Sequence, residues 1–175
     1  MRAQFSKKEV ILTSIFIILY ILLGNARSAR PNPFISGAVI TISIIVPVIA
    51  GLIGGKRMGA IVGILGTAIN AFTPAGGLLQ GIIYELLAII PNGLVGYLAG
   101  YYREQLSTII VSGGTVAVGI GTHIFLLLIF FQLSLSTISD SSFIIGTILE
   151  WGLNSIIAII FYYIYRLGFA HAIND

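Results

Sequence analysis

Two glutamates, a histidine and several amides lie inside long apolar runs, where a polar or ionisable side chain is costly and most often serves a function. Glu85 and Glu150 each sit seven residues past the outer start of an apolar run, at Leu78 and Phe143. With a helical rise of about 1.5 Å per residue, both carboxyls are expected roughly 10 Å deep, at one level. His123 and Asn154 lie about eleven residues from an outer helix end, which puts them roughly 16 Å in and near the midplane. Asn70, Gln80 and Gln132 are shallower, and Tyr84 and the only tryptophan, Trp151, belong to the same outer half. Asn92 is the exception in the inner half, directly after Pro91. Three- and four-residue steps align Phe143, Thr147, Glu150, Asn154 and Ala158 on one helical face, and Gly81, Glu85 and Asn92 on another. Two carboxyls among aromatic walls suit capture of a flat or cationic small molecule by charge pairing, stacking and cation–π contact. The expected binding residues are Glu85, Tyr84, His123, Glu150, Trp151, Asn154, Asn70 and Gln80.

The same residues also have plainer uses. His123, Gln132 and Asn70 would serve as hydrogen-bonded ties between helices, Glu85 and Glu150 as a protonated bridge, and Trp151 as an anchor at the membrane surface. Catalysis finds less support. The chain has no HExxH motif, one intramembrane histidine and no cysteine, so neither a zinc hydrolase nor a thiol nucleophile is readily assembled. The expectation is a non-enzyme with no cofactor and no metal; an intramembrane metal-dependent hydrolase is the catalytic alternative.

The elements that position these residues follow from composition. The 175 residues are 57% hydrophobic and 9% charged, with a mean hydropathy of +1.05, far from the quarter charged of a soluble domain. About 20 apolar residues cross a bilayer, and the apolar runs predict one domain over 1–175 with six transmembrane helices, about 10–24, 34–54, 58–72, 78–101, 108–135 and 143–165. This is an all-α bundle in the cell membrane. Gly59, Gly63, Gly66 and Asn70 form a small-residue face on the third span, which lets helices approach closely. With both termini cytoplasmic, Arg2, Lys7, Lys8, Lys56, Arg57, Arg103 and Arg166 flank the inner ends, and only Arg27 and Arg30 the outer ones. Seven against two satisfies the positive-inside rule. The net charge of +3 is accounted for in this way, and no basic stripe with interleaved aromatics indicates nucleic acid.

This pattern resembles the substrate-binding S component of energy-coupling factor (ECF) transporters. The resemblance spans the whole chain and rests on size, topology, the polar loop after the first span, the segment Pro47 to Arg57, Gly59 to Asn70, Pro74 to Gly77, and Gly93, Gly96 and Gly100. It implies capture of a vitamin-like substrate from outside, and partnership with a coupling transmembrane subunit and two ATPase subunits. The chain itself carries no P-loop, GxxxxGK[ST]. Thiamine-specific members are similar in an acid beside a tyrosine on span four, a histidine on span five and an asparagine on span six, here Glu85, Tyr84, His123 and Asn154. The first span departs from the family's alanine-spaced docking face, offering only Thr13 and Ser14 as small residues before Gly24, and the outer loop lacks the family's tryptophan. The non-transport alternative is a scaffold protein of cell-shape machinery.

Overall fold

Side-chain caps fix where several helices begin. The computed structural model describes residues 5–25, 30–35, 39–73 and 81–168. Ser6 and Glu9 form a capping box: the Ser6 hydroxyl accepts from the Glu9 N–H (3.2 Å) and the Glu9 carboxylate from the Ser6 N–H (2.7 Å), satisfying donors that a first turn leaves open. Helix α1 then runs Lys7–Asn25. Two residue pairs, Arg30↔Ile40 and Pro31↔Val39, make a minimal antiparallel ladder, β1 (Arg30–Pro31) with β2 (Val39–Ile40). Helix α2 (Ile45–Gly54) and α3 (Lys56–Asn70) meet at Gly55, whose φ of 84° lies in the region glycine enters without steric cost. Helices α4 (Ile82–Leu87) and α5 (Ile89–Tyr102) follow as two halves of one apolar stretch. The chain ends in α6 (Thr108–Ile129), the single turn α7 (Leu135–Ile138) and α8 (Ser141–Gly168). Ser107 caps α6, and Asp140 Oδ1 caps α8 by accepting from Ser142 N–H (2.7 Å).

The fold is all-α. Lys7–Asn25, Ile82–Tyr102, Thr108–Ile129 and Ser141–Gly168 are each long and apolar enough to cross a membrane. Ile11, Ile15 and Leu22 on α1, Ile109 and Phe125 on α6, and Ile148 and Ile156 on α8 are exposed, as suits faces turned to lipid rather than water. The expected second and third spans are shorter helices. Of the stretch expected to be helical from residue 34, residues 39–40 form β2, a turn occupies 43–44 and the helix runs from Ile45, while 36–38 lie outside the described residues. The third starts at Lys56 and ends at Asn70, two residues earlier at each end than expected. The fifth stops at Ile129 rather than near 135, and the sixth extends to Ser141–Gly168.

The expected fourth span is broken at Ala88. Pro91 has no N–H to offer the Leu87 carbonyl and its ring crowds that carbonyl, so the α-helical ladder is interrupted there. At this point the Ala88 N–H is shared between the carbonyls of Tyr84 (3.3 Å) and Glu85 (3.1 Å), and the ladder resumes with Asn92 N–H on the Ala88 carbonyl (3.0 Å).

Helices α2, α3 and α5 pack backbone to backbone. A Cβ on Gly59 would strike the Gly96 carbonyl, one on Gly96 would strike the Gly59 carbonyl, and one on Gly63 would strike the carbonyl of Asn92. Around this seam Val46, Val48, Met58, Val62, Val95 and Ala99 form the core. Helix α1 seals it with Tyr20, whose ring lies over Gly66.

Candidate functional site

Tyr20 is the deepest polar anchor. Its hydroxyl accepts from Asn92 Nδ2 at 2.8 Å, lies 2.8 Å from Thr67 Oγ1 in a second hydrogen bond, and sits near the Ser43 side chain. Asn92 Nδ2 reaches Thr67 Oγ1 as well (2.9 Å), and Thr67 bonds the Gly63 carbonyl in its own helix. One knot of neutral groups thereby joins α1, α3, α5 and the approach to α2. It is buried throughout.

A second polar set lies at the end of the bundle where α1 and α3 finish and α4 begins. Asn70, the last residue of α3, is 2% exposed, and its side chain lies beside the Glu85 carboxyl on the same small cavity. Its Oδ1 accepts from Asn25 Nδ2 at 3.0 Å. Gly24 is required beside it, because a Cβ there would meet Asn70 Oδ1 at 2.6 Å. Glu85 is itself buried at 7% exposure. A small cavity bounded by Leu23, Gly24, Ile40, Thr41, Ile42, Asn70 and Glu85 opens here; it holds about one water molecule.

Glu150 approaches the same loop from α8, its Oε1 accepting from the Thr41 N–H at 3.2 Å. Thr41 therefore connects the two glutamates: it lines the Glu85 cavity with its body and holds Glu150 with its backbone. The Tyr84 hydroxyl lies in electrostatic range of both carboxyls. His123 packs edge-on against the Tyr84 ring, 4.7 Å between centroids, and its Nε2 is 3.3 Å from the Tyr84 carbonyl. A carbonyl only accepts, so this bond needs the Nε2–H tautomer and leaves Nδ1 as an acceptor.

Glu85, Asn70, Tyr84, His123 and Glu150 are thus brought to one end of the bundle. Asn154 and Trp151 are placed differently. Asn154 is fully buried one turn below Glu150 and donates to the Glu150 backbone carbonyl (3.0 Å), while its Oδ1 has no partner. Trp151 turns to α6 and donates from Nε1 to the Gly113 carbonyl (2.8 Å). It is a half-exposed tie between α6 and α8 rather than a wall of the Glu85 cavity. Gln80 lies outside the described residues, as does Arg27.

Sequence reasoning missed Asn25, Thr41 and Tyr20. Tyr20 had a visible signal, a hydroxyl midway along an otherwise apolar span, since a buried Tyr O–H normally finds a partner. Thr41 had none, because it acts through its backbone. Chemically the set offers acids, an imidazole acceptor and a phenol, suited to holding a polar or cationic group. Among the described residues, no three His, Asp or Glu side chains assemble as a metal-holding group. No family model, curated protein or solved structure matches this chain.

Proposed function

We propose that this protein is the membrane-embedded substrate-binding S component of an ECF-type uptake transporter, capturing a vitamin-like small molecule from outside the cell. In this reading it is a multi-pass cell-membrane protein with six crossings and both termini cytoplasmic. The short helices Ile45–Gly54 and Lys56–Asn70 complete two crossings with the residues that flank them. The carrying observation is that Glu85 and Glu150, far apart in sequence, both reach the segment around Thr41, with Tyr84 and His123 beside them. Such a group favours a cationic or aromatic ligand, thiamine-like in charge and flatness. Transport itself would need a coupling transmembrane subunit and two ATPase subunits, because the sequence has no P-loop.

The tightness of the Glu85 cavity favours a second reading, in which the carboxyls are hydrogen-bonded ties in a structural bundle. Small-molecule mass spectrometry on the purified protein separates the two. A co-purifying compound, released on unfolding, is expected; a protein that yields no compound and binds none from a vitamin panel is a scaffold. Orientation is tested by introduced cysteines, which the natural chain lacks. Ser28→Cys and Ser141→Cys should react with an impermeant thiol reagent from outside and Ser6→Cys should not. The reversed pattern removes the outward-facing site.

A further inference from the structure

At the opposite end of the α3 helix from Asn70, basic side chains from three elements converge. Lys7 and Lys8 open α1, Lys56 and Arg57 open α3, and Arg103 follows α5. Their convergence is physical: the Glu9 carboxylate feels the charge of Arg57, and Arg103 Nη1 donates to the Ile53 carbonyl at 3.1 Å. Among the described residues two acids, Glu9 and Glu104, stand near these five cations, the latter paired with Arg103 at 3.0 Å.

Lys56 is held in a defined place. Its Nζ lies 5.9 Å from the Tyr97 ring and 5.5 Å from the Tyr101 ring, and those two rings stack on one another. Both tyrosines are about two-fifths exposed, as side chains with an apolar ring and a wet tip are at a membrane surface. From this corner an apolar track leads along the bundle. Ile64 lies two turns from Lys56 on α3, and Ile90 two turns from Tyr97 on α5. Both isoleucines are exposed, and Gly93, buried beneath Ile64, lets that side chain sit against α5.

We propose that this corner binds an anionic phospholipid, its headgroup phosphate at Lys56 and Arg57 and an acyl chain along Ile64 and Ile90. Charge at one end and a continuous apolar track at the other match an amphiphile. An acidic soluble partner would match the charge alone. Basic side chains near an anionic lipid surface each add roughly fivefold to association, so losing two should cost about twenty-fivefold.

The test is native mass spectrometry of protein released from vesicles of equal parts phosphatidylcholine and phosphatidylglycerol. Wild type should retain phosphatidylglycerol preferentially, and less of it as salt rises. The Lys56→Gln/Arg57→Gln double variant should retain about twenty-five times less, while Lys56→Arg/Arg57→Lys keeps it. The wild-type salt series stands even where the glutamine variant fails to fold. Equal retention of both lipids, undiminished retention by a folded glutamine variant, or displacement of the lipid by a soluble polyglutamate peptide would each overturn the proposal, the last in favour of an acidic protein surface.

Discussion

The two polar clusters of this bundle do different work with similar residues. Around Tyr20, Thr67 and Asn92 every group is neutral, and the bonds close on one another inside a glycine-packed seam. Around Glu85 and Glu150 the groups are ionisable and their neighbours sit at helix ends and on an irregular segment, Asn70, Asn25 and the Thr41 backbone. Neutral networks between membrane helices contribute modestly and fix geometry. Carboxyls in the same setting are expensive, and a placement that only tied helices would be achieved at lower cost by amides. The contrast separates a buried neutral knot from ionisable groups set beside non-helical backbone, and it is the second that is proposed to bind ligand.

That contrast can be broken first at the seam. Gly96→Val drives a side chain into the Gly59 carbonyl, with backbone on both sides and no flexible atom to yield. Thermal unfolding in detergent should show a loss of about 3 kcal/mol or more, or no folded protein at all. Gly121→Ala on α6, where an added Cβ meets nothing within 4 Å, should change stability by no more than about 0.5 kcal/mol. Equal effects would mean that the close helix contact is not what holds the seam.

A smaller effect sharpens the comparison at the neutral knot. Asn92→Leu removes the donor shared by Tyr20 and Thr67, which retain each other and the bond from Thr67 to the Gly63 carbonyl. A loss of about 0.5–2 kcal/mol in unfolding free energy is expected, with ligand affinity unchanged. A large fall in affinity would merge the two clusters into one site.

Much of this architecture was legible in the residues. The glycine face Gly59, Gly63 and Gly66 announced a close approach, and the apolar runs announced helices, because both signals are local and periodic. The depth argument brought Glu85 and Glu150 together, since it needs only a constant helical rise. It did not foresee the Trp151 bond, because a helical phase does not say which neighbouring helix offers an acceptor, and here Gly113 does. The run beginning at Phe34 read as a span because its residues are apolar. Within it residues 39–40 form β2 instead, pairing with a segment that residue hydropathy does not encode. The interruption of the ladder near Ala88 was written in Pro91, yet the sharing of the Ala88 N–H between Tyr84 and Glu85 depends on geometry that only the folded chain supplies.

The central claim is that the carboxyl cluster recognises a ligand and the neutral knot does not. Equilibrium dialysis of the compound identified by mass spectrometry, against wild type, Glu85→Gln and Glu150→Gln, tests it most directly. Each variant should bind more weakly by about 1–3 kcal/mol, the range for losing a charge-assisted contact, while Gln105→Ala, exposed at the other end of the bundle, binds as wild type. Unchanged affinity in both glutamate variants would contradict the account and leave Glu85 and Glu150 as ties between helices.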